Sequence, residues 1–243
     1  MASIQDERGF NQGFELVEST RVRLRRRTDK ILSCTERLPD RDILEIGCGT
    51  GEAAFWMAAD TPARVLATDL SPKFIAFAQQ QFQRPNLQYA VLDFNRQADF
   101  NGRSFDYIVG NGILHHLYFH LGDALMQMRR LLKPGGKLIF WEPNIYNPYI
   151  WLIFSFPFFR EKAHLEPDEM AFSKDWITDK LCQAGYADVQ VEFRDFLLPG
   201  IPDSFIKPSV AMGDVIERIP VLRCLSQSLF ITAVSAESIP GHV

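Results

Sequence analysis

Short apolar runs alternate with longer stretches of mixed polarity through the central part of the chain. Each run holds five to seven residues between turn-forming residues, as buried β-strands do. The stretches between them carry helix-start signals, such as Ser71 directly before Pro72. The pattern predicts strands at 42–47, 63–69, 86–92, 105–109 and 137–142, and helices at 51–59, 72–82 and 123–132.

Strands that are separated by helices of this length are typical of parallel βαβ units, because a parallel neighbour requires a long crossover. The central strands therefore predict an α/β fold with a doubly wound, mostly parallel sheet. A helix at 173–184 and strands at 187–193 and 229–234 extend the sheet to seven strands. Ligands of such sheets bind beyond the carboxyl ends of the strands.

The remaining segments add to this core within one domain that we expect to span 1–243, with the core at 42–142. A seven-residue repeat of apolar positions predicts an N-terminal helix over 14–38, through Val17, Leu24, Ile31 and Leu38. Residues 143–172 and 197–226 have no clear period. Because both of these insertions follow strands, we expect them to cover the ligand-binding edge of the sheet.

Composition narrows the functional classes. The chain has 243 residues with 47% hydrophobic and 23% charged residues, which excludes a disordered or coiled-coil protein. Its net charge of −4 disfavours a DNA-binding protein. Four cysteines without a CxxC pair predict neither a metal site nor disulfides. The first twenty residues lack an apolar leader segment, so we expect a cytoplasmic protein.

A glycine-rich turn closes the first strand and opens the first helix, at Glu45-Ile-Gly-Cys-Gly-Thr-Gly51. Glycines there let a ligand approach the backbone. The dinucleotide-binding fingerprint has its third glycine one position later, where this chain has Glu52. A carboxylate at that position would repel a pyrophosphate, so the turn predicts a different ligand. Asp69 and Asp93 follow the next two strands, where one carboxylate can bind ribose hydroxyls and the other an adenine edge.

Residues 42–142 resemble the class I S-adenosylmethionine-dependent methyltransferases. The resemblance is carried by the order of five pieces: ILEIGCGTG (43–51), ATDLS (67–71), Asp93, FDYIVGNGILHHL (105–117) and LLKPGGKLIF (131–140). It implies a Rossmann-like fold, S-adenosylmethionine as the cofactor and methyl transfer as the activity. It also implies that the last two strands form an antiparallel hairpin, with the insertion at 197–226 between them.

The resemblance assigns cofactor contacts position by position. Gly47, Cys48, Gly49 and Gly51 form the loop beside the amino-acid moiety, and no role is given to the Cys48 thiol. Glu45 resembles the acid that orients the amino group. Asp69, followed by Leu70, resembles the ribose-binding acid, and Asp93 with Phe94 the adenine-binding pair. Asn111 and Gly112 resemble the segment under the cofactor.

The fourth strand also limits the methyl acceptor. Amino-methylating DNA enzymes resemble Asn/Asp-Pro-Pro-aromatic there, and this chain has Gly-Asn-Gly-Ile at 110–113. No Pro-Cys dipeptide is present to methylate cytosine carbon. A small-molecule or lipid-like acceptor is therefore favoured.

His116 is the candidate base, or else a structural residue, and His115 is expected to point away. Glu142, Asn144 and Tyr146 are acceptor-side candidates, or else loop caps.

Two further features leave alternatives open. The apolar segment 149–159 is too short to span a bilayer. It is a core-filling lid, an apolar roof for a lipid-like acceptor, or an interfacial segment that lies on a membrane. Five arginines between positions 21 and 27 form either a solvated face or a phosphate-binding one. Arg21 lies on the same seam as Val17 and Leu24, and we expect it to reach the cofactor carboxylate.

Two rival functions remain at this point. A nucleotide-dependent oxidoreductase would share the fold, although Glu52 and the Pro-Gly-Gly turn disfavour it. A non-catalytic module could retain the acids at 45, 69 and 93 and bind the cofactor without turnover.

Overall fold

The computed structural model describes residues 17–94, 100, 102–166, 169–198 and 200–236. Its α-helices are α1 (Glu18–Leu32), α2 (Glu52–Asp60), α3 (Pro72–Gln81), α4 (Leu121–Leu131), α5 (Pro148–Ser155), α6 (Pro157–Lys162), α7 (Lys174–Gln183) and α8 (Asp203–Ile216). Its strands are β1 (Asp42–Ile46), β2 (Arg64–Asp69), β3 (Leu87–Val91), β4 (Phe105–Asn111), β5 (Leu132–Pro143), β6 (Tyr186–Arg194) and β7 (Ser228–Ser235). Two 3₁₀ helices lie at Leu114–His120 and Arg223–Leu225.

These strands form a seven-stranded sheet in the order β3-β2-β1-β4-β5-β7-β6. β1 to β5 pair in parallel, and β7 runs antiparallel to both β5 and β6. The sheet confirms the predicted doubly wound fold and its antiparallel hairpin. Strand order reverses between β1 and β4, and the crevice beyond their carboxyl ends is the expected ligand site.

The sheet is buried on both faces. One apolar cluster joins it to α1, α2 and α3, and a second joins it to α4 and α7. Because both faces are covered, the central strands read as nearly continuous apolar runs in the sequence. β5 begins earlier than predicted, since the residues before Lys137 also pair with β4 across an irregular register.

The N-terminal helix is shorter than predicted. α1 ends at Leu32, and the hydroxyl groups of Ser33 and Thr35 donate to the carbonyl groups of Lys30 and Leu32 at its end. Such local bonds compete with helix continuation. Leu38 lies well beyond the helix and is 45% exposed, so the prediction of a helix to residue 38 was wrong. Positions 14–16 of the predicted helix lie outside the described residues.

The two insertions meet beside the sheet. The first contains α5 and α6, and the second contains α8 and the short helix Arg223–Leu225. The buried side chain of Asn144 joins them, because its Nδ2 donates to the carbonyls of Cys224 at 2.8 Å and Ser226 at 2.7 Å. Asn147 adds a bond from Nδ2 to the carbonyl of Leu225. No helix in the described parts of the chain has the length and apolar character needed to cross a membrane.

Replacing Asn144 tests this junction. Asn144→Ala leaves the buried carbonyl of Ser226 and the partly buried carbonyl of Cys224 without their donor, so we expect the free energy of unfolding to fall by about 2–3 kcal/mol. The measurement is urea denaturation followed by circular dichroism. Gln83→Ala is the control, since Gln83 is exposed just after α3 and its Nε2 donates to the carbonyl of Gln79. Equal stability of the two variants would contradict the role of Asn144.

Candidate active site

A cavity of about 170 Å³ opens at the carboxyl ends of β1 and β4. It is bounded by the glycine-rich turn, the end of β2, the segment after β4 and one face of α1. The lining residues are Thr20, Arg23, Leu24, Arg27, Glu45, Gly47, Cys48, Gly49, Thr50, Glu52, Ala53, Asp69, Phe74, Asn111, Gly112 and Ile113. The structure therefore brings together seven of the predicted cofactor residues: Glu45, Gly47, Cys48, Gly49, Asp69, Asn111 and Gly112.

The glycines of the turn serve different purposes. Gly49 has a φ of +52°, and a Cβ built there would meet nothing within 4 Å, so a ligand can approach its backbone. Gly51 has a φ of +91°, and its Cβ would lie 2.7 Å from the Cβ of Ala78 on α3. Gly51 is therefore required for the close packing of α2 on α3, and it does not line the cavity.

Asp69 is fixed at the end of β2 by backbone donors. The amide of Gly49 donates to its Oδ2 at 2.9 Å, and the amide of Ser71 donates to its Oδ1 at 2.8 Å. These bonds hold the carboxylate against the glycine-rich turn at the cavity wall.

Leu70 is exposed, and Asp93 and buried Phe94 follow β3 on the neighbouring strand. These three lie outside the cavity lining.

Glu45 is buried at the base of the cavity, and its Oε2 has no hydrogen-bond partner among the described residues. Burial raises the pKa of Glu45 to about 8, and the charges of Asp69 and Glu52 add to the effect. A buried carboxyl group without a donor is costly, so the site is suited to a ligand that carries a cation. Burial also raises the pKa of the Cys48 thiol, which fits its lack of an assigned role.

The predicted role of Arg21 requires correction. Arg21 is exposed and does not line the cavity, whereas Arg23 and Arg27 do. Two members of the predicted seam are where they were expected, since Ile31 is buried and Leu24 lines the cavity. The seam fails towards the start of α1, where Val17 is 36% exposed and Arg21 is also exposed.

Arg27 is the centre of a buried polar network. Its Nη1 donates to Oδ1 of Asn111 at 2.8 Å, and its Nε and Nη2 donate to Oδ2 of Asp195 at 2.9 and 2.7 Å. Nη2 also donates to the hydroxyl of Ser228. Burial, together with the charge of Arg23, lowers the pKa of Arg27 to about 10, so the side chain stays cationic at neutral pH. Burial opposes ionisation of Asp195, but Arg23 and Arg27 outweigh it and hold the pKa of this carboxyl below its usual range.

A second cluster begins next to Gly112. Nδ1 of His115 lies 2.9 Å from Oε2 of Glu142, and the ring of His115 is buried. A Cβ built on Gly112 would lie 3.6 Å from Cε1 of His115, so the imidazole adjoins the cavity wall. His115 was expected to point away from the site; instead it packs beside the cavity.

His116 pairs with a carboxylate that sequence reasoning missed. Its Nδ1 lies 3.0 Å from Oε1 of fully buried Glu169. Burial lowers the pKa of His116, but the pairing with Glu169 outweighs this and leaves the pKa raised. The rings of His115 and His116 lie 4.1 Å apart. His115, His116 and Glu169 each offer one possible ligand atom, and these atoms lie within 4.8 Å of one another. This set could hold a metal ion, whereas the sequence predicted no metal site.

The acceptor-side candidates have other partners. Glu142 is buried, and its carboxylate accepts from the backbone amides of Ile113, Leu114 and His115 as well as facing the His115 ring. Asn144 is also buried and bonded to the second insertion. We therefore correct both from acceptor contacts to supports of the cleft. Tyr146 is about half exposed, with its ring 6.3 Å from that of Phe193.

Of the three site residues that the sequence prediction lacked, Arg27 has a recognisable sequence pattern, and Glu169 and Asp195 have none. Arg27 follows Leu24 by three residues and precedes Ile31 by four, so helical spacing would have placed it on the buried face. Glu169 and Asp195 lie in irregular segments without a period. No local signal marks either of them.

Comparison with known proteins identifies a methyltransferase domain in the central part of the chain. Residues 44–138 match a family model described as a methyltransferase domain. A reducing polyketide synthase, Preu2 of Preussia isomera, is 33% identical over 141 residues, which is 55% of this chain and 6% of that protein. The chain spans only 5–7% of the length of the first three curated relatives that it matches.

Solved structures share the fold. The CurJ carbon methyltransferase superposes with a TM-score of 0.63 at 22% identity, covering 93% of this chain and 57% of its own. Phosphoethanolamine N-methyltransferase 2 of Haemonchus contortus, in complex with S-adenosyl-L-methionine, gives a TM-score of 0.62 at 18% identity, covering 87% and 53%. Residues 44–138 therefore belong to a methyltransferase domain, and the sheet that contains them has the fold of solved S-adenosylmethionine-dependent methyltransferases.

Proposed function

We propose that this methyltransferase acts on an apolar small molecule or lipid-like acceptor, at an atom that loses a proton as it is methylated. The observation that supports this is the pair of imidazoles held by two buried carboxylates beside Gly112. A histidine can act as a general base when one ring nitrogen has a free lone pair and a second group fixes the orientation of the ring. His115 and Glu142 have this arrangement.

The cavity fits S-adenosylmethionine. Glu45 offers an unpartnered buried carboxyl group to an ammonium, Arg23 and Arg27 offer cations to a carboxylate, and Asp69 offers oxygens to ribose hydroxyls. The open space beside the backbone of Gly49 can hold the part of the cofactor that links its amino-acid group to its ribose. When bound, the cofactor supplies an electrophilic methyl group on a sulfonium.

The two histidines have different carboxylate partners. If the Nδ1–H of His115 donates to Glu142, the lone pair of its Nε2 is left to accept a proton from the acceptor. The raised pKa of His116 favours its cationic form, which stabilises the negative charge that the acceptor gains. His115 is therefore our candidate base, in place of His116.

The acceptor class follows from this chemistry. A carbon flanked by two carbonyl groups requires deprotonation before it can attack a methyl group, and its enolate oxygen suits a nearby cation. The relatives named as polyketide synthases and the CurJ carbon methyltransferase support a carbon acceptor. The second candidate is a hydroxyl acceptor, such as a phenol, which the same base would serve.

The test is methyl transfer from labelled S-adenosylmethionine to a panel of soluble acceptors. We expect transfer to β-ketoacyl thioesters to exceed transfer to phenols and to phosphoethanolamine. His115→Gln should lower turnover about 100-fold or more, with cofactor affinity unchanged, because it removes the proton acceptor. His120→Gln is the matched control, since His120 is exposed on the same 3₁₀ helix. Full activity of His115→Gln would contradict the proposed base.

Asp69 is tested separately by cofactor affinity. Asp69→Asn removes the charge that would accept ribose hydroxyls, so we expect S-adenosylhomocysteine binding to weaken by about 2–4 kcal/mol. Isothermal titration calorimetry measures the change, with Asp179→Asn on the exposed face of α7 as the control. Unchanged affinity in a folded Asp69→Asn variant would remove this residue from the site.

A further inference from the structure

The first insertion exposes large aromatic side chains. Tyr149, Trp151, Phe156 and Phe158 on α5, α6 and their junction are between 42% and 62% exposed. α5 packs on the rest of the molecule through Ile150 and Phe154 instead, which form a small core with Ala171. The exposed rings are therefore not needed for packing within the described chain. Aromatic rings grouped in this way are typical of an interaction surface.

The second insertion places more apolar side chains next to them. Val221, Leu222 and Leu225 are between 40% and 77% exposed. Nδ2 of Asn147 donates to the carbonyl of Leu225 at 2.6 Å, and Oδ1 of Asn147 accepts from the amides at the start of α5. The two apolar groups are thus fixed side by side. We call residues 148–162 and 218–225 together the insertion surface.

The insertion surface is cationic in an acidic protein. It contains Arg160, Lys162, Arg218 and Arg223 but a single acid, Glu161, which gives it a net charge of +3 while the whole chain carries −4. The Arg160 guanidinium donates to carbonyl groups of its own insertion. The other three basic residues are exposed, and Nζ of Lys162 lies 5.0 Å from the ring of Phe158.

We propose that the insertion surface docks on an anionic lipid bilayer. Tyr and Trp rings prefer the headgroup region, and neighbouring Lys and Arg side chains bind lipid phosphates. α5 and α6 have 8 and 6 residues, so they lie in the interface and do not span it. A second copy of the chain on the same surface would bring two cationic faces together, which disfavours a dimer there.

This docking rests on the proposed function and extends it to a membrane-borne acceptor. The ring of Phe154, on the buried side of α5, lies 6.2 Å from the ring of His115. The helix that contacts lipid on one side therefore covers the imidazole cluster on the other. An acceptor with an acyl or prenyl chain would pass from the bilayer to the base along this helix.

Vesicle binding by the full chain tests the proposal. We expect it to sediment with phosphatidylcholine vesicles that contain phosphatidylserine, less with phosphatidylcholine alone, and to be released by salt. Trp151→Ser with Phe158→Ser should lower the partition coefficient by about tenfold or more, and Lys162→Glu with Arg223→Glu should remove the preference for anionic lipid. Leu38→Ser is the control, because Leu38 is 45% exposed, close to the 48% of Trp151. Leu38 precedes β1 at the amino ends of the parallel strands, whereas the insertion surface lies beyond the carboxyl end of β5.

Fluorescence locates the contact. Trp151 is the most exposed of the four tryptophans, so the blue shift on anionic vesicles should be lost in Trp151→Phe while sedimentation is retained. Binding that is equal in the wild type and the Trp151→Ser/Phe158→Ser variant would overturn the proposal. So would dimerisation in vesicle-free buffer that this variant abolishes. Cofactor binding confirms that each variant is folded, and methylation of soluble acceptors tests the proposed function independently of vesicles.

Discussion

The buried ion pair between Arg27 and Asp195 organises the ligand-binding edge of this protein. It joins α1 to the loop after β6, and its further bonds to Asn111 and Ser228 reach β4 and β7. Removing one member of such a pair leaves a buried charge without a partner, which costs several kcal/mol, roughly 3–5. The N-terminal helix and the C-terminal hairpin are far apart in sequence, and this contact holds both against the end of the parallel sheet. The cavity exists because these elements meet there.

Charge in the cavity is arranged in two halves. On one side, Arg23 and Arg27 share the single carboxylate of Asp195, which leaves an excess of positive charge. Elsewhere in the lining, Asp69 and Glu52 lie close enough to Glu45 for their charges to raise its pKa. A zwitterionic amino-acid group complements both halves, since its carboxylate and ammonium have opposite preferences. The same reasoning explains why Glu45 retains its proton without a ligand and why Glu52 disfavours a pyrophosphate.

The sequence predicted the parts of the protein that depend on local pattern. Strand and helix bounds in the central sheet follow from apolar runs and caps, and the glycine-rich turn, Asp69 and Asn111 follow from their places at strand ends. The seam of α1 was correct at Leu24 and Ile31 and failed at its two ends, because the helix spans only Glu18–Leu32. The partners of the histidines, Glu142 and Glu169, could not be deduced, since they are brought to the cluster by long-range packing. Asn144 illustrates the same limit: a polar residue after a strand looks like a ligand contact until its buried carbonyl partners are known.

Proton release on cofactor binding tests the charge arrangement most directly. The pKa of Glu45, raised to about 8, keeps this group mainly protonated at pH 7, and an ammonium beside it would favour the carboxylate. Calorimetric titration of S-adenosylhomocysteine at pH 7 in buffers with different ionisation enthalpies should therefore reveal release of most of a proton. The release should fade as the pH rises above that pKa, and Glu45→Gln should abolish it. Equal proton release by the wild type and Glu45→Gln would contradict the assignment of Glu45 to the cofactor amino group.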